Sequence, residues 1–224
     1  MGPAIGEILP SAVGVAISPV PIIAVILMLF GPKARSTGPA FAIGWVLALV
    51  AVGVVVLTVA DTSNVSSEQG PSDAVFAIKL LVGLLLLVLA VRQWRGRPKE
   101  GEEPELPGWM SAINGFTPVR AFGLAALLAV VNPKNLGLTL AAGSTIAQAG
   151  LADSEPWIVL LVFVALASVT VVLPVVYYLA GGDSAKRTLD SLKSWLTGNN
   201  ATVMSVLFLV LGINLVGDGL GGLT

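Results

Sequence analysis

Neither cysteine nor histidine occurs in the 224 residues. The first absence excludes disulfides, thiol redox chemistry and thiolate-bound metals. The second removes the commonest general base and metal ligand. Charge is scarce as well: Asp, Glu, Lys and Arg make up 11% of the chain, against roughly 25% in an average soluble domain. The net charge is −1, and the basic residues fall in loops instead of forming a stripe that could track a phosphate backbone, so no nucleic-acid partner is expected. Neither an acid–base pair nor a metal-ligand set lies within an apolar segment, so the chain is not read as an enzyme, and no cofactor or metal is expected.

What is present is apolar sequence, 55% of all residues. About 20 apolar residues are needed to cross a hydrocarbon core of roughly 30 Å. Six segments meet that length, at about 4–31, 38–60, 74–94, 121–149, 156–180 and 201–220. Each is apolar around its whole circumference, unlike a helix that buries one stripe in a soluble core. In lipid every backbone polar group must be satisfied within the segment, so the expected fold is an all-α membrane protein with six transmembrane helices. Met1 is followed by Gly2, Pro3 and Glu7 without a basic leader, and the first segment is read as a retained helix.

Ten of the twelve Lys and Arg sit in alternate loops: Lys33 and Arg35; then Arg92, Arg95, Arg97, Lys99 and Arg120; then Lys186, Arg187 and Lys193. The opposite loops and ends carry Glu7, Asp61, Glu68, Asp73, Asp153, Glu155 and Asp218. The positive-inside rule puts the basic loops in the cytoplasm and both termini outside. The loop at 92–120 is rich in Pro and charge and reads as a cytoplasmic linker. It divides the chain into a first three-helix repeat (1–95), a charged linker (96–120) and a second three-helix repeat (121–224). In the last cytoplasmic loop, Leu189, Leu192, Trp195 and Leu196 have the spacing of one helical face, suited to the membrane interface or to packing on the bundle.

Two of the six helices are interrupted. Helix 1 contains Ser18-Pro19-Val20-Pro21 near its middle and helix 4 contains Asn132-Pro133-Lys134-Asn135. A proline lacks the N–H for its helical bond and crowds the preceding turn, so each helix must kink or unwind there. Aligning Pro19 with Pro133 pairs Ser18 with Asn132 and Pro21 with Asn135, each in the first helix of its repeat. Because three is odd, the repeats have opposite orientations in the membrane. Interrupted helices at matching places in an inverted repeat point to a substrate site at the midplane. Lys134 lies about 13 residues from the nearer end of its helix, too deep to snorkel, and must face the bundle interior or a water-filled cavity. No Asp or Glu occupies the centre of any span, so the expected partners are Asn132, Asn135, Ser18, half-helix carbonyls or a ligand. Thr170, Ser168 and Asn214 are further polar residues in helices 5 and 6. Thr170 and Asn214 complete the candidate substrate-binding set of Ser18, Pro19, Pro21, Asn132, Pro133, Lys134 and Asn135.

Together with Pro118-Val119-Arg120-Ala121-Phe122 ahead of helix 4, these motifs resemble the lysine-exporter (LysE-type) superfamily. Within it they are most similar to the small glycolipid-addressing, GAP/Sap-type membrane proteins. The resemblance covers essentially the whole chain. It implies a six-helix bacterial inner-membrane protein that exports envelope glycolipids or related small amphiphiles, or delivers them to the surface. Pro19, Pro21, Asn132, Pro133 and Lys134 are the positions that match. Amino-acid exporters of the superfamily carry Gly-Pro-x-Pro where this chain has Ser18 before Pro19, and its redox members carry paired cysteines. The leading expectation is a carrier for a glycolipid, a lipid-linked or a small anionic amphiphilic substrate. The alternatives are an amino-acid or small-solute exporter, or a non-transporting subunit of an envelope-lipid assembly machine. Membrane lipids and the substrate are the expected partners, and a homo-oligomer or envelope-biosynthesis partners are compatible with the sequence.

The cysteine-free chain gives the topology a direct test. In intact cells a membrane-impermeant maleimide should label Gln69→Cys, whereas Glu100→Cys should react only after lysis. The reverse pattern would invert the assignment.

Overall fold

The computed structural model describes residues 1–62, 73–97, 113 and 115–221, with the backbone alone at 60–62, 73–79, 182–183 and 218–219. Seven α-helices occur among the described residues: α1 (Gly2–Ala16), α2 (Pro19–Phe30), α3 (Ala34–Thr62), α4 (Asp73–Arg95), α5 (Pro118–Val130), α6 (Pro133–Gln148) and α7 (Glu155–Gly221). Three stretches are long and apolar enough to cross a membrane: Ala34–Val59, Glu155–Gly181 and Ser184–Gly217. The number rises to five if each of two bent pairs, α1 with α2 and α5 with α6, is one span. The remaining apolar segment, 74–94, corresponds to α4, a helix of 23 residues. Most of the charged linker, residues 98–112 and 114, lies outside the described residues.

The breaks fall where the prolines dictate. α1 stops at Ala16 and α2 restarts with Pro19 as its first residue, at a bend of 53°. α5 stops at Val130 and α6 restarts with Pro133, at a bend of 68°. Ser18 and Asn132, each preceding a proline, have extended backbones with ψ of 102° and 112°, as the bulk of the proline ring requires. A proline is tolerated at the first helical position because its missing N–H has no helical partner there. The sequence pairing of Ser18 with Asn132 thus corresponds to one structural role: both are N-caps of the second half-helix.

The chain forms two compact units, Met1–Asn64 with Leu106–Ser194, and Val65–Glu105 with Trp195–Thr224. Each unit draws on both halves of the sequence. The first holds both broken helices, α3 and the first part of α7; the second holds α4 and the last part of α7. In the first unit the core includes Trp45, Phe41, Phe163, Ile8, Ile23 and Met28. In the second, Ser205 donates to the carbonyl of Ala90 at 2.8 Å, and Gly83 and Gly212 let α4 and α7 approach closely. The four residues read as one interfacial face divide: Leu189 and Leu196 are buried, Leu192 and Trp195 exposed.

Glycines set the helix spacing in the first unit. A Cβ on Gly14 of α1 would lie 2.7 Å from Leu138 of α6, and one on Gly143 of α6 would lie 2.7 Å from Val56 of α3. Gly53 of α3 faces Leu160 of α7 at similarly close range. Small residues serve this purpose in lipid, where close van der Waals packing replaces the hydrophobic driving force. The tightest backbone approach is at Gly44 of α3, where a Cβ would meet the carbonyl oxygen of Phe122 in α5 at 2.5 Å.

That carbonyl belongs to helical backbone and cannot swing aside. Gly44→Ala should therefore destabilise the protein by about 1–3 kcal/mol. Gly123→Ala adds its methyl where nothing lies within 4 Å and should be neutral or mildly stabilising. Denaturant unfolding in detergent micelles would compare the two, and equal stabilities would refute the close approach.

Candidate functional site

At the end of α1 the prolines leave carbonyls without their usual donors. Pro19 lacks the N–H that Val15 would receive, and Pro21 the one that Ile17 would receive. The carbonyls of the last turn therefore need partners from elsewhere, and in the middle of an apolar bundle these must be protein groups, water or ligand. Ile17 N–H closes one bond to Val13 at 2.9 Å. Two other helices reach the carbonyls of Gly14, Ala16 and Ile17.

Lys134, the second residue of α6, reaches across the first break. Its Nζ donates to the carbonyl of Gly14 at 2.7 Å and to Ser18 Oγ at 2.7 Å, with the carbonyl of Ile17 at 3.5 Å. An ammonium there also meets the negative end of the α1 dipole. From α7, Thr170 Oγ1 donates to the carbonyl of Ala16 at 2.6 Å. Thus Lys134 and Thr170 cap one severed helix end from two sides.

Ser18 relays the contact. Its hydroxyl accepts from Lys134 and donates to Asn135 Oδ1 at 2.8 Å, and both Ser18 and Asn135 are buried. Asn135 Nδ2 then donates to the carbonyl of Leu128, 3.3 Å away, just before the second break. Asn132 caps α6 locally, its Oδ1 accepting from the backbone N–H of Lys134 at 3.1 Å. The side chains of each broken helix thus reach a break: Lys134 serves α1, and the Ser18–Asn135 pair joins α2 to α6.

Most of the residues expected from sequence meet here. Ser18, Asn132, Lys134, Asn135 and Thr170 are joined by the bonds above; Pro19 and Pro21 are buried beside them and Pro133 is exposed. Asn214 lies in the second unit and is exposed. Sequence reasoning passed over Gly14, whose carbonyl holds Lys134 and whose bare Cα admits Leu138. Its position four residues before Ser18, in the last turn before the break, was an available signal. It also passed over Thr139, buried one turn beyond Asn135 with its hydroxyl on that residue's carbonyl at 2.8 Å. Two buried polar atoms in the same unit, Trp45 Nε1 and Ser168 Oγ, have no hydrogen-bond partner.

The Ser18–Asn135 contact should behave as a coupled pair. A double-mutant cycle on Ser18→Ala and Asn135→Ala, followed by unfolding in micelles, should give a coupling of about 0.6–1.7 kcal/mol, the range for hydrogen bonds between membrane helices. Additive effects would show that the bond contributes nothing.

Residues 8–221 match the family model described as Sap, sulfolipid-1-addressing protein. No curated protein and no solved structure matches the chain.

Proposed function

Since the chain belongs to the sulfolipid-1-addressing (Sap) family, we propose that it is a bacterial inner-membrane carrier for a glycolipid or related anionic amphiphile, binding the headgroup between its two broken helices. The observation that carries this reading is Lys134, an ammonium at the break held by helix carbonyls and a hydroxyl instead of a carboxylate. Neutral acceptors leave its charge uncancelled, so a sulfate or phosphate ester entering the break offers a stronger partner than the groups it displaces.

In this reading the chain has six spans in two inverted repeats, with both termini outside. Support comes from the matching position of Ser18 and Asn132 at the two breaks. The antiparallel course of α1 and α6, with Gly14 against Leu138 and Ser18 against Asn135, adds to it. Transport would proceed by exchanging the bonds at the breaks as one repeat rocks against the other. No catalytic step is assigned; membrane lipids and the substrate are the partners. One observation favours a second reading, a non-transporting subunit of a lipid-assembly machine: three acceptors already surround the ammonium, as in a permanent structural cap.

Lys134→Ala separates the two. With a sulfated glycolipid as probe in inverted membrane vesicles, the carrier reading expects transport to fall about a hundredfold or more while folded protein remains in the membrane. Transport at the wild-type rate would remove the charge-binding role. A wild-type chain that moves no lipid would favour the subunit.

A further inference from the structure

The two ends of the broken α1–α2 pair differ in charge. Beside the start of α1 lies a cleft of about 340 Å³ whose polar lining is Glu7, Thr145, Gln148 and Met1 with its terminal amine. At the far end of α2, twelve residues or about 18 Å beyond the break, lies a second cleft of about 380 Å³. Gly31, Pro32, Lys33, Arg35, Ser36 and Tyr178 line it.

This second cleft is built on fixed backbone. Gly31 N–H donates to the carbonyl of Met28 at 3.1 Å and Ala34 N–H to the carbonyl of Gly31 at 3.2 Å. The carbonyl of Lys33 accepts from the N–H groups of Ser36 and Thr37, both at 2.9 Å, and from their two hydroxyls, both at 3.0 Å. Beneath it, a Cβ on Gly38 would lie 2.6 Å from Leu29 and 3.7 Å from Val175, so α2, α3 and α7 converge in one layer. Tyr178, from α7, forms the opposite wall. Lys193 stands 5.2 Å above the ring of Phe30, the neighbour of Gly31, and is paired with Asp190 at 2.7 Å. The cleft lining therefore offers two cations and a phenol with no carboxylate, on a turn that holds its shape.

We propose that this cleft is the loading site for the anionic headgroup of the amphiphile, a sulfate or phosphate ester held by Lys33 and Arg35 and hydrogen-bonded by Tyr178. The proposal rests on the carrier reading and deepens it. A guanidinium and an ammonium on a fixed turn suit a tetrahedral oxyanion, and a position at the end of a span is the depth of lipid headgroups. From this cleft the path along α2 leads to Lys134, and beyond the break to the cleft lined by Glu7. An anion thus leaves two cations, passes a third and reaches a cleft where Glu7 stands beside the terminal amine of Met1. The cleft with two cations and no carboxylate holds it more firmly than the cleft that contains Glu7, so the headgroup is taken up at the cytoplasmic face and let go at the other.

The full chain in nanodiscs of phosphatidylcholine with a minor share of phosphatidylglycerol provides the test, reading by native mass spectrometry which lipid stays bound. Wild type should retain phosphatidylglycerol preferentially, and Lys33→Gln combined with Arg35→Gln should weaken that preference about tenfold. Neutralising loop cations can also disturb insertion, so Tyr178→Phe, which leaves every charge in place, should show a smaller loss in the same direction. The charge-preserving exchange of Lys33→Arg with Arg35→Lys should retain the preference. Equal retention by wild type, the neutralised double variant and Tyr178→Phe would overturn the proposal. Excess inorganic sulfate assigns the source of recognition: displacement of the lipid identifies the ester group alone, and persistence identifies headgroup and acyl chains together. Transport of the sulfated probe in inverted vesicles is read separately on the same wild type and double variant, so lipid retained without transport fails the carrier reading, and transport with equal retention by wild type and the neutralised variant fails the loading site.

Discussion

The structure depends on backbone carbonyls that proline leaves without donors. In water such groups would cost little, because solvent would bond to them. Deep in an apolar bundle each needs a partner supplied by the chain. Pro19 and Pro21 end α1 and remove the donors for the carbonyls of Val15 and Ile17, and side chains from α6 and α7 reach the carbonyls of Gly14, Ile17 and Ala16 in that last turn. An internal lysine, costly on its own in lipid, becomes tolerable because the severed helix end offers it oxygen atoms and a favourable dipole. The break and the buried cation are two halves of one solution.

The same dependence explains why the helices around the break pack so closely. Lys134 can reach Gly14 and Ser18 only if α6 lies against α1, and the glycine at 14 makes room for Leu138 at that crossing. α3 follows α5 and α6, meeting Phe122 at Gly44 and Gly143 at Val56. These contacts are between small and large residues instead of between polar groups. Rigid spacing comes from the glycines, and the side-chain hydrogen bonds between α1 and α6 lie at the break.

Much of this arrangement was legible in the residue order. Apolar runs of spanning length marked where helices form, although the runs at 156–180 and 201–220, expected as two helices with a loop between them, lie in the single helix α7; Ser-Pro-x-Pro and Asn-Pro-Lys-Asn marked both interruptions at the residues where they occur. Ser18 and half-helix carbonyls were among the partners expected for Lys134, because no carboxylate was within the spans. What could not be read was which carbonyl, since that depends on how two helices cross. Thr170 was visible only as a polar residue in an apolar run; its role follows from the contact of α7 with Ala16. Gly14 carries no side chain and so no chemical signature, although its carbonyl is the nearest backbone partner of the buried charge. The assembly of two units, each drawing on both halves of the chain, is likewise a property of packing.

The bonds that run from Lys134 through Ser18 and Asn135 to Leu128 have only one possible sense. An ammonium has hydrogens and no lone pair; a carbonyl has lone pairs and no hydrogen. With both terminals fixed, the serine hydroxyl cannot reverse without leaving one neighbour donor against donor, and the amide cannot turn over without facing oxygen to oxygen. The chain is therefore a poor conductor of protons, which must reverse such a row after each passage. It is instead a mechanical tie that leaves the α5–α6 helix at Lys134, crosses to Ser18 at the α1–α2 break and returns through Asn135 to Leu128. The serine hydroxyl is the tie's one link between the two interruptions, so the register of one break is set against the other through a single side chain at the first and two at the second.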